Sequence, residues 1–590
     1  MVPTWQLVLA GVVLYSLVAM GLKQRQILPE FVKVSGPLTT IHTQRGKAFL
    51  NRLAERRRFW RAWGNVGVGI ALLFLVGLFL TVLFSGYQNL VSPDISPIQS
   101  PQDALVIPGV NRFLPLAAAP DIIIGLLVGL VVHEGGHGLL SRVEDIEIDS
   151  MGVVLFALLP IGAFVEPDEE DRKRADRGAQ TRMFAAGVTN NFAITIIAFA
   201  LLFGPVTGAI AVADGVPVGN AVPNSSAAEA GVERGDLITA INGTPVANDS
   251  EFEDVKASAG SGPLTVDTRG GDRFRVNRSL LVVNELDGGP FGIEVGQTVT
   301  AVNGTPIRTE AALDDALRNR TTATLTMDNG TNATGPVGAY AVAVSEDGPL
   351  ADAGAPEGES VVITRIDGVR TVDATALAEY LAETDPGTTV PVQAWTGGQF
   401  ETYNVTLGSN DRTGGALVGV SQSQPGITGI VVDDFGIRTY PADLYLGFLS
   451  GDGVLGGLGD GSLGRSILLL LTLPFAAVAD PRLGYNFAGF LDPITNFFVI
   501  QGPLSALGGG VFFLANVLFW TGWVNFNLGL FNCIPAFPLD GGHILRNSTE
   551  AVLSRTPFDS RRHVTAVTTT IGITMLAGLL LMLFGPALLA

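Results

Sequence analysis

Seven apolar stretches, Trp5–Leu22, Val66–Phe84, Ile122–Leu140, Phe184–Ala211, Ile467–Val478, Leu504–Phe531 and Val564–Leu589, leave this chain few ways to fold. Most can cross the roughly 30 Å hydrocarbon core of a bilayer as helices, the form that satisfies every backbone N–H and C=O within one segment. They flank the middle of the sequence: residues 212–422 carry 29 acidic and 12 basic residues, nearly all of the net charge of −19. The expected fold class is a polytopic α-helical membrane protein with an inserted soluble α+β repeat region. A mean hydropathy of +0.38 over 590 residues agrees. The one cysteine, Cys533, excludes an intrachain disulfide. Lysine occurs only at Lys23, Lys33, Lys47, Lys173 and Lys256; such an acid-rich, lysine-poor surface stays hydrated in strong salt, as in a halophile. Acidity of this degree excludes nucleic acid as a partner.

Basic residues set the expected orientation. The loop from Lys23 to Arg61 holds ten basic residues against two acidic ones, which predicts a cytoplasmic loop and an outside amino terminus. Arg142 and the cluster Arg172, Lys173, Arg174, Arg177 and Arg182 then fall on the same side by alternation. Trp5–Leu22 lacks a preceding basic region and reads as a retained anchor rather than a cleaved signal. Residues 150–165, SMGVVLFALLPIGAFV, are too short and too rich in Gly and Pro for a crossing helix, and are expected as a re-entrant hairpin.

Chemistry concentrates in VVHEGGHGLL, residues 131–140. On a helix His133 and His137 share a face, so two imidazoles can grip one zinc ion, while Glu134, one step round, stays free to act as a base. The plain alternative is a pair of packed core histidines. Against it stand the scarcity of histidine, five in the chain, and the cost of about 2.5–3.5 kcal/mol for a charged residue near the centre of a membrane helix. Two histidines lack a third ligand. Asp540, in NFNLGLFNCIPAFPLDGGHIL at the break made by Pro535 and Pro538, is the best candidate; its alternative role is to cap the helix that follows. Cys533 ranks below it as a small buried hydrophobe, and His543 is a packing residue or a group behind the ligands.

The soluble region repeats. AINGTPV (240–246), AVNGTPI (301–307) and RIDGVRT (365–371) recur about 60 residues apart, each after a Gly-rich acidic turn and before a helix-like stretch and a strand. The first copy, SAAEAGVERGDLITAINGTPV, resembles a PDZ domain of the prokaryotic kind, a fold that captures extended peptides by strand addition. The others depart from it, with Glu294-Val295-Gly296-Gln297 for the Gly-Asp turn and Asp367 for the hairpin Asn. A rigid spacer is the competing role. Sequons at Asn242, Asn277, Asn332 and Asn404 agree with an extracytoplasmic location.

The His-Glu-x-x-His motif together with Leu539-Asp540-Gly541 resembles the site-2 proteases, a family of intramembrane zinc metalloproteases, over residues 133–165 and 525–545. The resemblance implies zinc held by His133, His137 and Asp540, Glu134 as catalytic base, and PDZ-like domains inserted between two halves of a membrane core. The segment Gly187-Val188-Thr189-Asn190-Asn191 stands where the family has Gly-Pro-x-x-Asn, with Val for Pro, which makes Asn191 a substrate-contacting or oxyanion candidate. Asn532 is a second polar candidate for substrate, with helix packing as its alternative.

Six segments are expected: an anchor and basic loop (1–65), the first half of the catalytic core (66–211), PDZ-like domains at 212–280, 281–338 and 339–422, and the second half of the core (423–590). The spans and the basic residues predict a multi-pass protein of the cell membrane with its site towards the cytoplasm, and the resemblance further implies its role. It would cleave transmembrane segments of membrane-tethered proteins in regulated proteolysis, while the outer domains hold peptide or protein stubs. The competing classes are a non-enzymatic receptor or scaffold, and a metal transporter, which would need a path of several polar spans.

Overall fold

The computed structural model describes residues 4–91, 108–109, 114–157, 159–284, 289–410, 415–451, 463–479, 484–557 and 560–589. It divides into a helical unit, Met1–Ala211 with Asp443–Leu491 and Val499–Ala590, and a sheet unit, Val212–Ala442 with Asp492–Phe498.

The helical unit contains α1 (Thr4–Gln24), α2 (Gln44–Ala54), α3 (Arg57–Val91), α4 (Ala119–Val143), α5 (Glu169–Arg174), α6 (Arg177–Leu201), α7 (Gly510–Asn532), α8 (Asp540–Leu553) and α9 (Arg561–Leu589), of which α1, α3, α4, α6, α7 and α9 come from the apolar stretches. Among the described residues five helical stretches are long and apolar enough to cross a membrane: Arg57–Val91, Leu116–Val143, Arg177–Ala209, Gly510–Asn532 and Arg561–Gly585. The described apolar part of α1, Leu9–Gln24, is shorter. Ile467–Val478 does not form a span. A helix at Leu463–Thr472 gives way to a 3-10 turn at Leu473–Phe475 and a short helix at Ala476–Ala479, because Pro474 has no N–H to continue the ladder. Helices α4, α6 and α7 pack on one another, and α3 packs on α6 and α9. Close approach of α4 to α7 depends on Gly125, where a Cβ would lie 2.8 Å from the Trp520 backbone. The outer faces of α3 and α9 expose Leu73, Leu80, Phe84, Ile573 and Leu576, as helices facing lipid do.

The hairpin expected at residues 150–165 exists, but as part of a sheet. Strands β1 (Val32–Ser35), β2 (Leu38–His42), β3 (Ile148–Phe156) and β4 (Leu159–Pro167) form an antiparallel sheet in the order β1-β2-β3-β4. β1 and β2 come from the stretch read as a basic loop. Their backbone pairing gives the hairpin internal partners, so it need not rely on a wet cavity. His42 packs edge-on against Phe164, ring centres 5.2 Å apart. Strand β4 is an open edge and lies on α4.

In the sheet unit three sheets share one plan. Each repeat turns a hairpin through a residue and a glycine at positive φ, Asn242-Gly243, Asn303-Gly304 and Asp367-Gly368, the conformation that favours Asn-Gly in tight hairpins. Each then starts a helix from a capping side chain: Asn248, Thr309 and Asp373 accept the backbone N–H three residues on. The repeats are nested. The first sheet runs from Arg273–Val276 through Val216–Ala221 to Ile437–Thr439, the second from Asn332–Pro336 through Leu280–Asn284 to Val431–Asp433, and the third from Gln399–Thr406 through Ala339–Val344 to Val420–Ser423. The closing strands thus return in reverse order, and the unit extends to Ala442, past the boundary expected at Gln422.

One ion cluster ties the first repeat to the second. Arg278 pairs with Asp434 and donates to the carbonyls of Lys256 and Gly260 at 3.0 and 2.7 Å. Lys256 Nζ reaches Glu253 at 2.7 Å and Glu310 at 3.1 Å, and the Glu310 N–H donates to Asp434 at 3.0 Å. Burial works against the Lys256 charge, but the carboxylates of Glu310, Glu253 and Asp434 outweigh it and hold the ammonium above its ordinary pKa.

Candidate metal centre

Helix α4 places His133 and His137 one turn apart on a single face, with their rings edge-to-face at 4.7 Å. Asp540 arrives from the far end of the sequence. Pro535 and Pro538 stop the chain after α7, and Asp540 is the first residue of α8 with Leu539 in the capping position, so its side chain is not the helix cap. The His133 and His137 Nε2 atoms are 3.1 Å apart, and Asp540 Oδ2 lies 3.2 Å from the first and 3.3 Å from the second. All three residues are buried.

Hydrogen bonds fix what these atoms present. His137 Nδ1 is 2.8 Å from the Met183 carbonyl, which can only accept, so Nδ1 carries the proton and Nε2 of the neutral ring offers a lone pair. Asp540 Oδ2 has no hydrogen-bond partner although it is buried. The His137 lone pair and the unpaired carboxylate oxygen thus converge with His133 Nε2, a donor set that suits a cation. Among the described residues His133, His137 and Asp540 form one of two groups able to hold a metal ion. The other, Glu310, Asp433 and Asp434, already faces Lys256 and Arg278.

Helix α6 closes the group from the other side. A Cβ on Gly187 would lie 2.7 Å from both His133 Cε1 and His137 Nε2, so only glycine lets α6 come this close. Asn191, one turn on and fully buried, has its Nδ2 3.2 Å from His133 Nδ1 and an unpaired Oδ1. A half-turn of that amide presents Oδ1 to the ring N–H and leaves Nε2 of His133 as a lone pair. Glu134 is only partly buried, and its Oε2 accepts the Val165 N–H of β4 at 3.1 Å.

Of the residues singled out in the sequence, His133, His137, Asp540, Glu134 and Asn191 come together. Asn532 does not: its amide donates to the Leu528 carbonyl of its own helix at 2.9 Å. Cys533 is buried in the packing core beside Ile544 and Val188. His543 stacks on Phe184 at 4.2 Å with nearly parallel rings. Sequence reading missed Met183 and Val165, whose backbones do the work and carry no signal. It also passed over Asn525, a fully buried amide beside Gly129 of α4 whose Oδ1 is unpaired; its signal was a polar residue in an apolar run.

The model of peptidase family M50 matches residues 121–579. An uncharacterized protein of Methanocaldococcus jannaschii is 25% identical over 218 residues, 36% of this chain and 54% of that protein. A protein of Clostridium perfringens provisionally named a zinc metalloprotease is 27% identical over 183 residues, 26% of this chain and 52% of its own length. One of Agrobacterium fabrum with the same provisional name is 29% identical over 226 residues, 30% of this chain and 58% of its own. The chain thus spans between 52% and 58% of the length of these relatives.

Proposed function

The chain belongs to peptidase family M50, and from that premise we propose that it is an intramembrane zinc metalloendopeptidase of the site-2 protease type, cutting transmembrane segments of membrane-tethered proteins. The observation that carries the proposal is the convergence of two imidazole nitrogens and an unpaired carboxylate oxygen, with Glu134 beside them, among helices apolar enough to cross a membrane.

Zinc fits this donor set. Tetrahedral ligands at about 2.0–2.1 Å from the ion stand about 3.3 Å from one another, close to the 3.1–3.3 Å separations here. Held by His133, His137 and Asp540, zinc would supply a Lewis acid that brings the pKa of water towards about 7 and polarises a carbonyl.

The chain's own residues do the rest. Glu134 has one oxygen tied to the Val165 N–H; the other takes the proton from the attacking water and passes it to the leaving amine. The Met183 carbonyl fixes the His137 tautomer and Asn191, with its amide turned, would fix that of His133, leaving both Nε2 atoms free to hold zinc; Asn191 is then a positioning residue rather than a substrate contact. The open edge of β4, tied to Glu134, offers backbone partners to an extended substrate strand. Substrate must unwind, because a helix hides its carbonyls in hydrogen bonds, and segments weakened by Gly, Pro or Asn are preferred.

In this reading the site faces the cytoplasm and the three repeats, as PDZ-like domains, lie outside and screen the outer stub of a substrate. Support comes from the basic residues at the ends of α3 and α6 and from Ile437–Thr439, an edge strand of the first repeat. The test is cleavage of a panel of single-span proteins by the purified chain and by Glu134→Gln. The expected result is product from the native chain and none from the variant, with zinc retained in both. Zinc binding without proteolysis of any panel member would move the reading to a receptor. Removal of residues 212–442 should give full-rate cleavage of substrates whose outer domain is intact; unchanged discrimination would end the screening role.

A further inference from the structure

Where α6 and α9 begin, the helical unit encloses a cavity of about 610 Å³ lined by Arg172, Lys173, Arg177, Arg546 and Arg561 against the carboxylate of Glu550. Glu550 is shared by Arg177 at 3.4 Å and Arg546 at 3.2 Å, and Lys173 pairs with Glu169 at 2.8 Å. Among the described residues Arg172 and Arg561 form no ion pair. Five cations against Glu550 and Glu169 leave a local excess of three positive charges, in a chain whose net charge is −19. Basic residues at the ends of spans serve orientation, but that role needs solvated charges and no cavity to hold them.

Depth and shape narrow the ligand. The candidate spans Arg177–Ala209 and Arg561–Gly585 begin at the cavity, and their apolar runs start at Phe184 and Val564, so the cavity lies at the level of lipid headgroups. Guanidinium forks match phosphate oxygens two at a time, and an excess of three positive charges calls for more than one phosphate. We propose that this cavity binds the two-phosphate headgroup of a cardiolipin-type lipid, through a phosphate chemistry it shares with soluble phosphate anions; basic pockets between membrane helices take such headgroups. The inner wall links the cavity to the metal centre. Phe184 and His543 both line it and stack on each other, Phe184 also meets the His137 ring at 6.4 Å, and His543 sits on α8 behind Asp540.

The test uses the full chain in nanodiscs of phosphatidylcholine with and without cardiolipin, and reads retained lipid by native mass spectrometry. The native chain should hold one cardiolipin, and the double variant Arg172→Gln/Arg561→Gln should bind it at least about tenfold more weakly, with Arg172→Lys/Arg561→Lys, which keeps the charge but not the fork, recovering part of the loss. Equal retention by the native chain and the Gln variant would overturn the site. A measurement on the native chain covers the case of a variant that does not fold: cardiolipin should shield Arg172 and Arg561 from phenylglyoxal, and equal modification in both discs would overturn it too. Displacement of cardiolipin by millimolar inorganic phosphate would overturn the lipid as source and assign the site to a soluble anion. None of these readings depends on proteolysis.

Discussion

Two buried carboxylates, Asp434 in the sheet unit and Asp540 in the helical unit, are treated in opposite ways. Asp434 is closed in by Arg278 and Lys256, cations of the chain itself, so its charge is balanced when the unit folds. Asp540 faces two histidines, and the Met183 carbonyl fixes the proton of His137 on Nδ1, on the far side of the ring from Asp540. An uncompensated buried charge costs about 3–5 kcal/mol, which the sheet unit avoids with side chains and the helical unit leaves for an ion to offset. The first arrangement is structural and the second is poised for chemistry.

The largest effect should come from removing the open charge. Asp540→Ala is expected to empty the centre, seen as loss of bound zinc by elemental analysis together with loss of all measurable cleavage; full zinc in that variant would break the contrast. Next comes the closed charge: Arg278→Ala strands Asp434 and should destabilise the sheet unit by about 3–5 kcal/mol. Hydrogen exchange of the full chain would detect this in peptides covering residues 280–302 and 430–439. Joint replacement, Arg278→Met with Asp434→Leu, should recover most of that stability, because two balanced charges can give way to apolar packing. Zinc content should not change in either variant.

Smaller changes sharpen the comparison. Gly187→Ala pushes a methyl group into both imidazoles, and an overpacking cost of about 1–3 kcal/mol should weaken zinc binding by about five- to a hundredfold, read by competition with a chelator. Asn191→Ala removes a partner of His133 and should cost about tenfold in zinc affinity. An unchanged zinc affinity with a raised KM would return Asn191 to the substrate contact first expected for it.

How much was legible follows from distance along the chain. His133, Glu134 and His137 could be read because a helix brings residues four apart to one face. Asp540 could be read because two prolines break an apolar run there. The sheet of the helical unit was not legible: β1 and β2 sit in a basic stretch, and β3 and β4 read as irregular apolar chain until each supplies the other's hydrogen bonds. Two Asn-Gly turns and one Asp-Gly turn announced three repeats, but their nesting depends on closing strands of three or four residues, Val420–Ser423, Val431–Asp433 and Ile437–Thr439, too short to show a period. Arg278 and Asp434 are 156 residues apart and give no local sign of their pairing. Asn532 and Asn525 looked alike in sequence, and both amides donate to the carbonyl four residues back; only packing separates them, by burying Asn525 against α4 with its Oδ1 unpaired.

X-ray absorption at the zinc edge of the purified full chain tests the open centre most directly. The expected spectrum has nitrogen and oxygen neighbours at about 2.0–2.1 Å, with outer scattering from two imidazole rings. A sulfur neighbour at about 2.3 Å, which would bring in the thiol of Cys533, or a chain that takes up no zinc, would contradict it.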